Sequence, residues 1–408
     1  ARHHGGKFIV RVEDTDQDRL VPGAAEAVLE ALDWLNLKGD EGPGVGGPHA
    51  PYFQSQRLGI YQQLAEDLIE RGWAYRCYCT EERLEEMRRE QLRSKHSSGY
   101  DRRCRQLTQD ERRSLEAEGG PCVIRFATPT SGVTVFDDLI HGEVVWQNAL
   151  LDDFIIIKSD GFPTYHLAVV ADDHLMEISH VLRAEEWLPS TPRHMQLYQA
   201  LDFAPPKFAH LPMIMSPDRS KLSKRHGATA ALEYRDDGFL PEAITNFLVL
   251  LGWSLDDKTE IMPADFVVQH FSLDRVNKSA AIFDNEKLVW MNGVYIRQLS
   301  VEDLVDQLLP FLERDLPASL LPVDREYLHR IVPLIRERVK LLSDAADLTS
   351  YFFQPALDFH PDKLIQKGMD RRETAAALAA ARDELAGTSS FDHDLLEESL
   401  RATSSRLG

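Results

Sequence analysis

Cysteine is scarce in this chain, basic charge is in deficit, and no apolar run approaches the length of a membrane span. Four cysteines in 408 residues, three of them close together, cannot build a disulfide framework, so a reducing compartment is expected, with the cytoplasm as location. The 46 lysines and arginines fall short of the 66 acidic residues, leaving a net charge of −20. That balance excludes a nonspecific nucleic-acid coat and confines RNA contacts to local basic patches, for which Arg102-Arg103-Cys104-Arg105 and Lys221–Arg225 are candidates. The longest apolar stretch, Ala243–Trp253, is broken by Thr245 and Asn246 and is too short to cross a bilayer. No signal peptide opens the chain, so membrane association is not expected. Internal repeats are absent, which excludes a solenoid. An apolar fraction of 43% excludes a disordered tail or a fibre and fits two or more globular domains.

What is present alternates between strand and helix. Phe8–Val12 reads as a buried strand, followed by an acidic turn and an alanine-rich helix over 24–35. Gly42–Pro51 is a loop that contains proline and lies between two helices, so it is no dinucleotide-binding turn. A helix is expected over 56–71. From Trp73 to about Asp160 the text changes to three cysteines, a charged helix over 81–95, and strands at 133–136, 144–146 and 154–157, as in an inserted domain. Alternation then returns, with helices over 167–176 and 192–201 and strands at 178–183 and 211–215. The implied core is a parallel α/β sheet split by the insertion. Beyond Gly227 amphipathic helices dominate, at 241–251, 301–314, 325–342 and 374–385.

Several short segments carry chemistry. Lys221-Leu222-Ser223-Lys224-Arg225 sets two ammonium groups around a serine between Pro217 and Gly227, the makings of a polyphosphate-handling loop. Glu13-Asp14-Thr15-Asp16-Gln17-Asp18 has alternate acids, but Arg19 and Ala25 stand where a calcium loop needs glycine and glutamate. Carboxylates at the end of a parallel strand instead suit a ligand ammonium, and Glu13 is placed for one. Arg183, in Val181-Leu182-Arg183-Ala184-Glu185-Glu186-Trp187, can hold a carboxylate through two parallel bonds, and Trp187 can wall a ring or an aliphatic chain. For His166 a hydrogen-bonded core position is the expectation. Cys77, Cys79 and Cys104 resemble a structural zinc knuckle in which Gln106 is a poor fourth ligand; Cys122 is either the fourth or a small buried hydrophobe.

Taken together, Arg11-Val12-Glu13-Asp14-Thr15-Asp16, Tyr165-His166, Arg183-Ala184-Glu185-Glu186-Trp187, Lys221–Arg225 and Trp290-Met291-Asn292-Gly293-Val294-Tyr295-Ile296-Arg297 resemble bacterial glutamyl-tRNA synthetase, a class I aminoacyl-tRNA synthetase, over essentially the whole chain. The resemblance implies an α/β Rossmann-type catalytic domain, here with its first strand missing, an inserted α+β domain, and an all-α C-terminal region. The expected divisions are catalytic domain over 1–72 and 161–226, acceptor-end-binding insertion over 73–160, stem-contact domain over 227–300, and a helical anticodon-binding region over 301–408. It also implies a glutamate–tRNA ligase, acting as a monomer on L-glutamate, ATP with Mg²⁺, and tRNA(Glu), with structural Zn²⁺ as an open addition. By the same resemblance Lys221, Ser223 and Lys224 are catalytic. Glu186, Trp187, Met213, Ile214, Lys221, Leu222 and Lys224 contact ATP, Glu13, Tyr165, Arg183 and Trp187 line the glutamate pocket, and Arg338 contacts the anticodon.

Two departures qualify that expectation. The second class I signature, His-x-Gly-His, occurs nowhere in the chain, and Ser404-Ser405-Arg406-Leu407-Gly408 stops where the family continues. A fragment cut at both ends, with little aminoacylation activity of its own, is therefore expected. A non-catalytic tRNA-binding relative and a glutaminyl-specific class I synthetase are the alternatives. Arg183 and the acidic loop at Glu13 fit a dianionic substrate better than glutamine, and retention of both loop lysines favours an enzyme. In the complete protein, Lys224→Ala is expected to slow adenylate formation far more than it weakens glutamate binding; equal losses in pyrophosphate exchange and in equilibrium glutamate binding would contradict a transition-state role for the lysine.

Overall fold

The structure, a computed structural model, describes residues 1–19, 21–94, 99–220, 222, 230–356 and 360–407. It has the expected class: a mixed α/β region followed by an all-helical C-terminal region. The strands are β1 (Ala74–Cys77), β2 (Val123–Phe126), β3 (Val133–Asp138), β4 (Gly142–Gln147), β5 (Ile155–Ile157), β6 (His180–Ala184), β7 (Lys207–Leu211), β8 (Ile214–Met215) and β9 (Ala281–Ile282).

Phe8–Val12 is extended but does not form the continuous strand expected of it. It makes two isolated parallel bridges, Ile9 with Glu41 and Val12 with Phe53. The reason is the partner: Val10 N–H donates to Glu41 O at 2.9 Å and Val12 N–H to Tyr52 O at 2.8 Å, and the Gly42–Pro51 loop separates those two acceptors.

The principal sheet runs β4-β3-β7-β6. Strands β6 and β7 are parallel, with Arg183 opposite His210, while β3 touches β7 at Asp138 and Phe208 and turns back antiparallel into β4. The expected parallel sheet is thus a mixed one. Residues 133–147, placed by the sequence within the inserted segment, supply two of its four strands; alternation of apolar residues identifies a strand but not the sheet it joins. The remaining strands of that segment, β1, β2 and β5, form a separate antiparallel sheet. A second difference lies at 211–215. Pro212 has no N–H to continue a ladder, so the expected single strand becomes the end of β7 and the short β8, which pairs in parallel with β9.

Helices α1 (Ala24–Trp34) and α2 (Leu58–Glu70) follow the extended segment, α3 (Glu81–Ser94) and α4 (Gln109–Ala117) lie in the insertion, and α5 (Tyr165–Leu175) and α6 (Thr191–Leu201) flank β6. One apolar core joins α2, α5 and α6 to the antiparallel sheet through Tyr61, Leu68, Phe126, Ile156, Leu167 and Leu197, all fully buried. Within it Asp172 accepts from Arg57 Nε at 2.8 Å, Gln54 at 2.9 Å and the Tyr61 hydroxyl at 2.7 Å. Removing one partner of such a buried ion pair costs about 3–5 kcal/mol, because the other charge is left unpaired. The network therefore fixes α5 against α2.

A second core runs from Phe239 to Ala345 through α8 (Pro241–Leu250), α10 (Asn285–Gln298), α11 (Val301–Asp315) and α12 (Arg325–Ile335), after the short α7 (Ala231–Asp236) and with α9 (Ala264–His270) alongside. Its apolar residues lie on both sides of residue 300, where the sequence suggested a division. Gly238 takes a φ of +93°, and a Cβ there would stand 2.6 Å from Ser343 N, so glycine is what lets the chain before α8 approach the turn at 342–344. Helix α12 ends at Ile335, short of the expected 342. Pro333 removes one helical N–H, and Asp344 accepts from the Lys340 and Leu341 N–H groups in the turn that follows. Helix α13 (Ala345–Phe353) completes this unit. Helices α14 (Arg371–Gly387) and α15 (His393–Leu407) then pair through Glu384, which accepts from Ser399 at 2.9 Å and Arg406 at 2.8 Å. Among the described residues no helix is long and apolar enough to cross a membrane.

Candidate active site

Arg183 lies one residue before the end of β6, where the chain leaves the sheet through the Glu185–Ser190 turn and enters α6. Its guanidinium makes five contacts within the protein, two of them long. Nε donates to His210 Nε2 at 3.1 Å on the adjacent strand. One terminal nitrogen reaches the Tyr165 hydroxyl at 3.2 Å and His194 Nδ1 at 3.4 Å, and the other reaches Thr191 Oγ1 at 2.7 Å and the Trp187 carbonyl at 3.4 Å. Behind His210, the Asp138 carboxylate accepts from Nδ1 at 2.6 Å and from the His210 backbone N–H at 3.1 Å. Since a guanidinium only donates and an ionised carboxylate only accepts, His210 carries its proton on Nδ1 and offers a lone pair at Nε2. By the same logic His194 accepts at Nδ1 and donates from Nε2 to His166 Nδ1, 3.0 Å away.

Three imidazoles thus crowd one cation, and all three are held neutral. Burial lowers His166 to about 4, with Arg193 and Arg183 adding to the effect and Asp152 opposing it. Burial and then Arg183 push His194 well below the imidazole range. His210 is also lowered by burial, against the pull of Asp138. Asp138 itself stays below the usual carboxylate range: burial disfavours its charge, but N–H groups of His141, Ile140 and His210 outweigh that cost.

Glu13 lies on the chain leaving the extended segment. It accepts from Arg11 at 2.9 Å, and Arg11 also donates to Asp173 on α5 at 3.0 Å. Burial pushes Asp173 up to about 6 despite that ion pair. The Tyr165 phenol is raised by burial, with Arg183 pulling it down and Glu13 pushing it up, so Tyr165 feels both charges. Its ring centroid is 4.8 Å from that of Trp187. The structure therefore gathers Tyr165, Arg183 and Trp187, and the Glu13 charge is near enough to act on Tyr165.

Of the residues assigned to the nucleotide, Glu186, Trp187 and Ile214 are exposed, and Met213 and Leu222 are half-buried. The Met213 backbone is engaged on both sides, its N–H with Glu185 Oε1 at 3.2 Å and its carbonyl with Ala281 N–H at 3.2 Å. Leu222 N–H points back to Ile214 O at 3.5 Å. Lys221, Ser223 and Lys224 lie outside the described residues. Arg338 is exposed in the turn after α12, its backbone N–H bonded to Ile335 O at 2.7 Å.

The thiols of Cys77, Cys79 and Cys104 come together, with their sulfurs within 4.8 Å of one another and Cys79 3.5 Å from Cys104. Gln106 is exposed, and Cys122 Sγ is turned to the Val123 carbonyl at 3.7 Å. The group that does join the sulfurs is the Tyr100 hydroxyl, 3.4 Å from both Cys77 and Cys79. Arg83 reaches Cys79 at 3.4 Å from outside.

Sequence reading missed Tyr100, Asp138, Thr191, His194 and His210. Asp138, Thr191, His194 and His210 form no short-spaced motif with Arg183, and strand pairing and the α6 packing bring them in; Tyr100, four residues before Cys104, was available in the sequence but was not weighed as a ligand.

Comparison with known proteins adds the family. Residues 1–290 match the tRNA synthetases class I (E and Q) catalytic domain, and residues 303–408 match an anticodon binding domain. A glutamate–tRNA ligase of Dehalococcoides mccartyi is 53% identical over all of this chain and 83% of its own length. The chain belongs to the class I tRNA synthetases of the E and Q group. A glutamate–tRNA ligase of Moorella thermoacetica is 48% identical over 98% of the chain and 82% of its own length. Among solved structures, a glutamate tRNA ligase from Elizabethkingia meningosepticum in complex with its amino acid aligns with a TM-score of 0.86 at 34% identity, covering all of this chain and 84% of that one.

A class I synthetase with neutral imidazoles packed around an arginine should be acid-labile in its catalytic region. The unfolded chain takes up protons near the ordinary imidazole pH of about 6.5, whereas folded His166 does so only near 4. Stability is therefore full above about 6.5 and lost as pH falls toward 4. Thermal melting across that range is expected to fall less steeply for His166→Gln than for the parent; equal slopes would rule out His166 as a contributor.

Proposed function

We propose that this chain is a glutamate–tRNA ligase, which joins L-glutamate to the 3′ end of tRNA(Glu) at the expense of ATP. The observation that carries the reading is Arg183, a fixed guanidinium whose protein contacts are all to neutral groups, with the Tyr165 and Trp187 rings beside it. Arg183 suits the side-chain carboxylate of an acidic amino acid, with Tyr165 and Trp187 as walls and Glu13 assigned to the ammonium. On that assignment glutamine would leave the Arg183 charge unpaired, which disfavours the glutaminyl-specific alternative.

The reaction proceeds in two steps. A glutamate carboxylate oxygen attacks the α-phosphorus of ATP, the bond to the β-phosphate bridging oxygen breaks, and pyrophosphate leaves. A hydroxyl of the terminal adenosine then attacks the acyl carbon and AMP departs. Both steps rely on positioning and on stabilising charge that grows on phosphate oxygens. Trp187, Glu186 and Ile214 offer the exposed surface for the nucleotide, Met213 and Leu222 support it, and Lys221, Ser223 and Lys224 supply the phosphate-facing donors. Mg²⁺ arrives with the nucleotide and supplies charge neutralisation on its phosphates. The 73–160 segment receives the acceptor end, 227–300 the stem, and the helices of 301–408, Arg338 among them, the anticodon. The enzyme works as a cytoplasmic monomer.

Cys77, Cys79 and Cys104 would hold a structural zinc, with Tyr100 Oη as fourth donor in place of Gln106. Three sulfurs within 4.8 Å of one another, with a hydroxyl beside two of them, fit the donor set that such an ion takes. Metal analysis of the purified protein is expected to give one zinc per chain, lost in Cys104→Ser and retained in Cys122→Ser; retention in both would overturn the assignment. For the reaction, ATP–pyrophosphate exchange by the full-length gene product is expected to require glutamate. Exchange driven equally by glutamine, or by no amino acid, would sink the reading.

A further inference from the structure

We propose that Asp138, acting through His210, is a positioning residue that sets the preference of Arg183 for a carboxylate over a carboxamide. The inference rests on the reading of Arg183 as the substrate-carboxylate ligand and extends it to residues outside the pocket. Three observations support it. Asp138 sits at the end of β3, where it meets β7 and closes the β3–β4 turn by accepting from Ile140 N–H at 3.0 Å and His141 N–H at 2.9 Å. Its carboxylate is thus anchored to rigid backbone on one side and to His210 on the other. The side chains of both Asp138 and His210 are completely excluded from solvent, so a buried charge is spent on orienting one imidazole. The far nitrogen of that imidazole receives Arg183 Nε–H, and the Thr191 hydroxyl bonds both it, at 3.1 Å, and the guanidinium.

The tautomer is the point at issue. With its proton on Nδ1, His210 presents an acceptor to the arginine. With the proton on Nε2, two N–H donors would oppose each other at 3.1 Å and the guanidinium would turn out of its plane. A neutral, acceptor-only shell also leaves Arg183 as the one cation at that end of the Tyr165 wall among the described residues that contact it, so an anionic ligand is the one that balances the pocket. An asparagine at 138 cannot serve both sides, because one carboxylate oxygen accepts from His210 and the other from the Ile140 and His141 N–H groups, so its amide nitrogen would face N–H donors whichever way it turned. Outer-shell partners of this kind change function by roughly 10- to 100-fold.

The test is ATP–pyrophosphate exchange by the full-length protein carrying Asp138→Asn, His210→Leu, His210→Gln or Thr191→Val, with thermal melting to verify folding. Asp138→Asn and His210→Leu are expected to raise the KM for glutamate roughly 10- to 100-fold, leave the KM for ATP unchanged, and lower the glutamate-to-glutamine preference. His210→Gln, whose amide oxygen can take the Arg183 Nε–H, should recover most of the loss seen in His210→Leu. Thr191→Val, which removes a direct bond to Arg183, should raise the glutamate KM in the same direction by less, and the contrast of His210→Gln with His210→Leu decides the matter if Asp138→Asn does not fold. Parallel rises in both KM values, or His210→Gln as damaging as His210→Leu, would each overturn the proposal. Failure of the unsubstituted protein to use glutamate at all would instead overturn the substrate reading, so the two outcomes are separable.

Discussion

A charged guanidinium held at the end of a strand among neutral imidazoles is the constraint around which the catalytic region is built. Arg183 is useful to an anionic ligand only if its own surroundings supply hydrogen-bond acceptors without supplying a competing charge. The structure meets this by burying His166, His194 and His210 deeply enough to stay neutral, and by committing one ionised carboxylate, Asp138, to a position one imidazole removed. Placed directly against the arginine, that carboxylate would have cancelled the charge that an anionic ligand would meet.

The rest of the region holds this arrangement in register. Strands β6 and β7 put Arg183 opposite His210, β3 brings Asp138 to the end of β7, and α6 contributes Thr191 and His194 from one face. On the other side, Asp172 ties Arg57, Gln54 and Tyr61 to α5, whose first residue is Tyr165. Arg11 connects Asp173 of the same helix to Glu13, so Glu13 and Tyr165 share one helix as their reference. The hairpin that the sequence placed in the insertion is therefore part of the catalytic framework. The insertion proper, with its antiparallel sheet and cysteine cluster, shares a core with α2, α5 and α6.

Much of this was legible beforehand for a physical reason: the class of fold and the helical C-terminal region are written in local periodicity, and the candidate site residues cluster in short motifs at strand ends. The continuity of one core across residue 300 was not legible, because amphipathic helices do not announce their partners. Nor was the break at Pro212 or the early end of α12 after Pro333, although in both places proline withholds an N–H and gave a usable signal. At the cysteine cluster, spacing identified three sulfurs but proposed Gln106, whereas the loop before Cys104 delivers the Tyr100 hydroxyl instead.

Sequence alone determined the chemistry that this chain can offer: a guanidinium and a carboxylate for an amino acid, paired lysines for phosphate, thiols for a metal, and a charge balance that keeps RNA contacts local. Those properties belong to residue types and short spacings, which survive without coordinates. Tertiary structure alone decided which groups stand behind them. Asp138, Thr191, His194 and His210 are separated from Arg183 by 8 to 45 positions in the chain and converge through strand pairing and helix packing. Protonation state and tautomer depend on burial and on the partner at each nitrogen, and neither exists until the chain has folded.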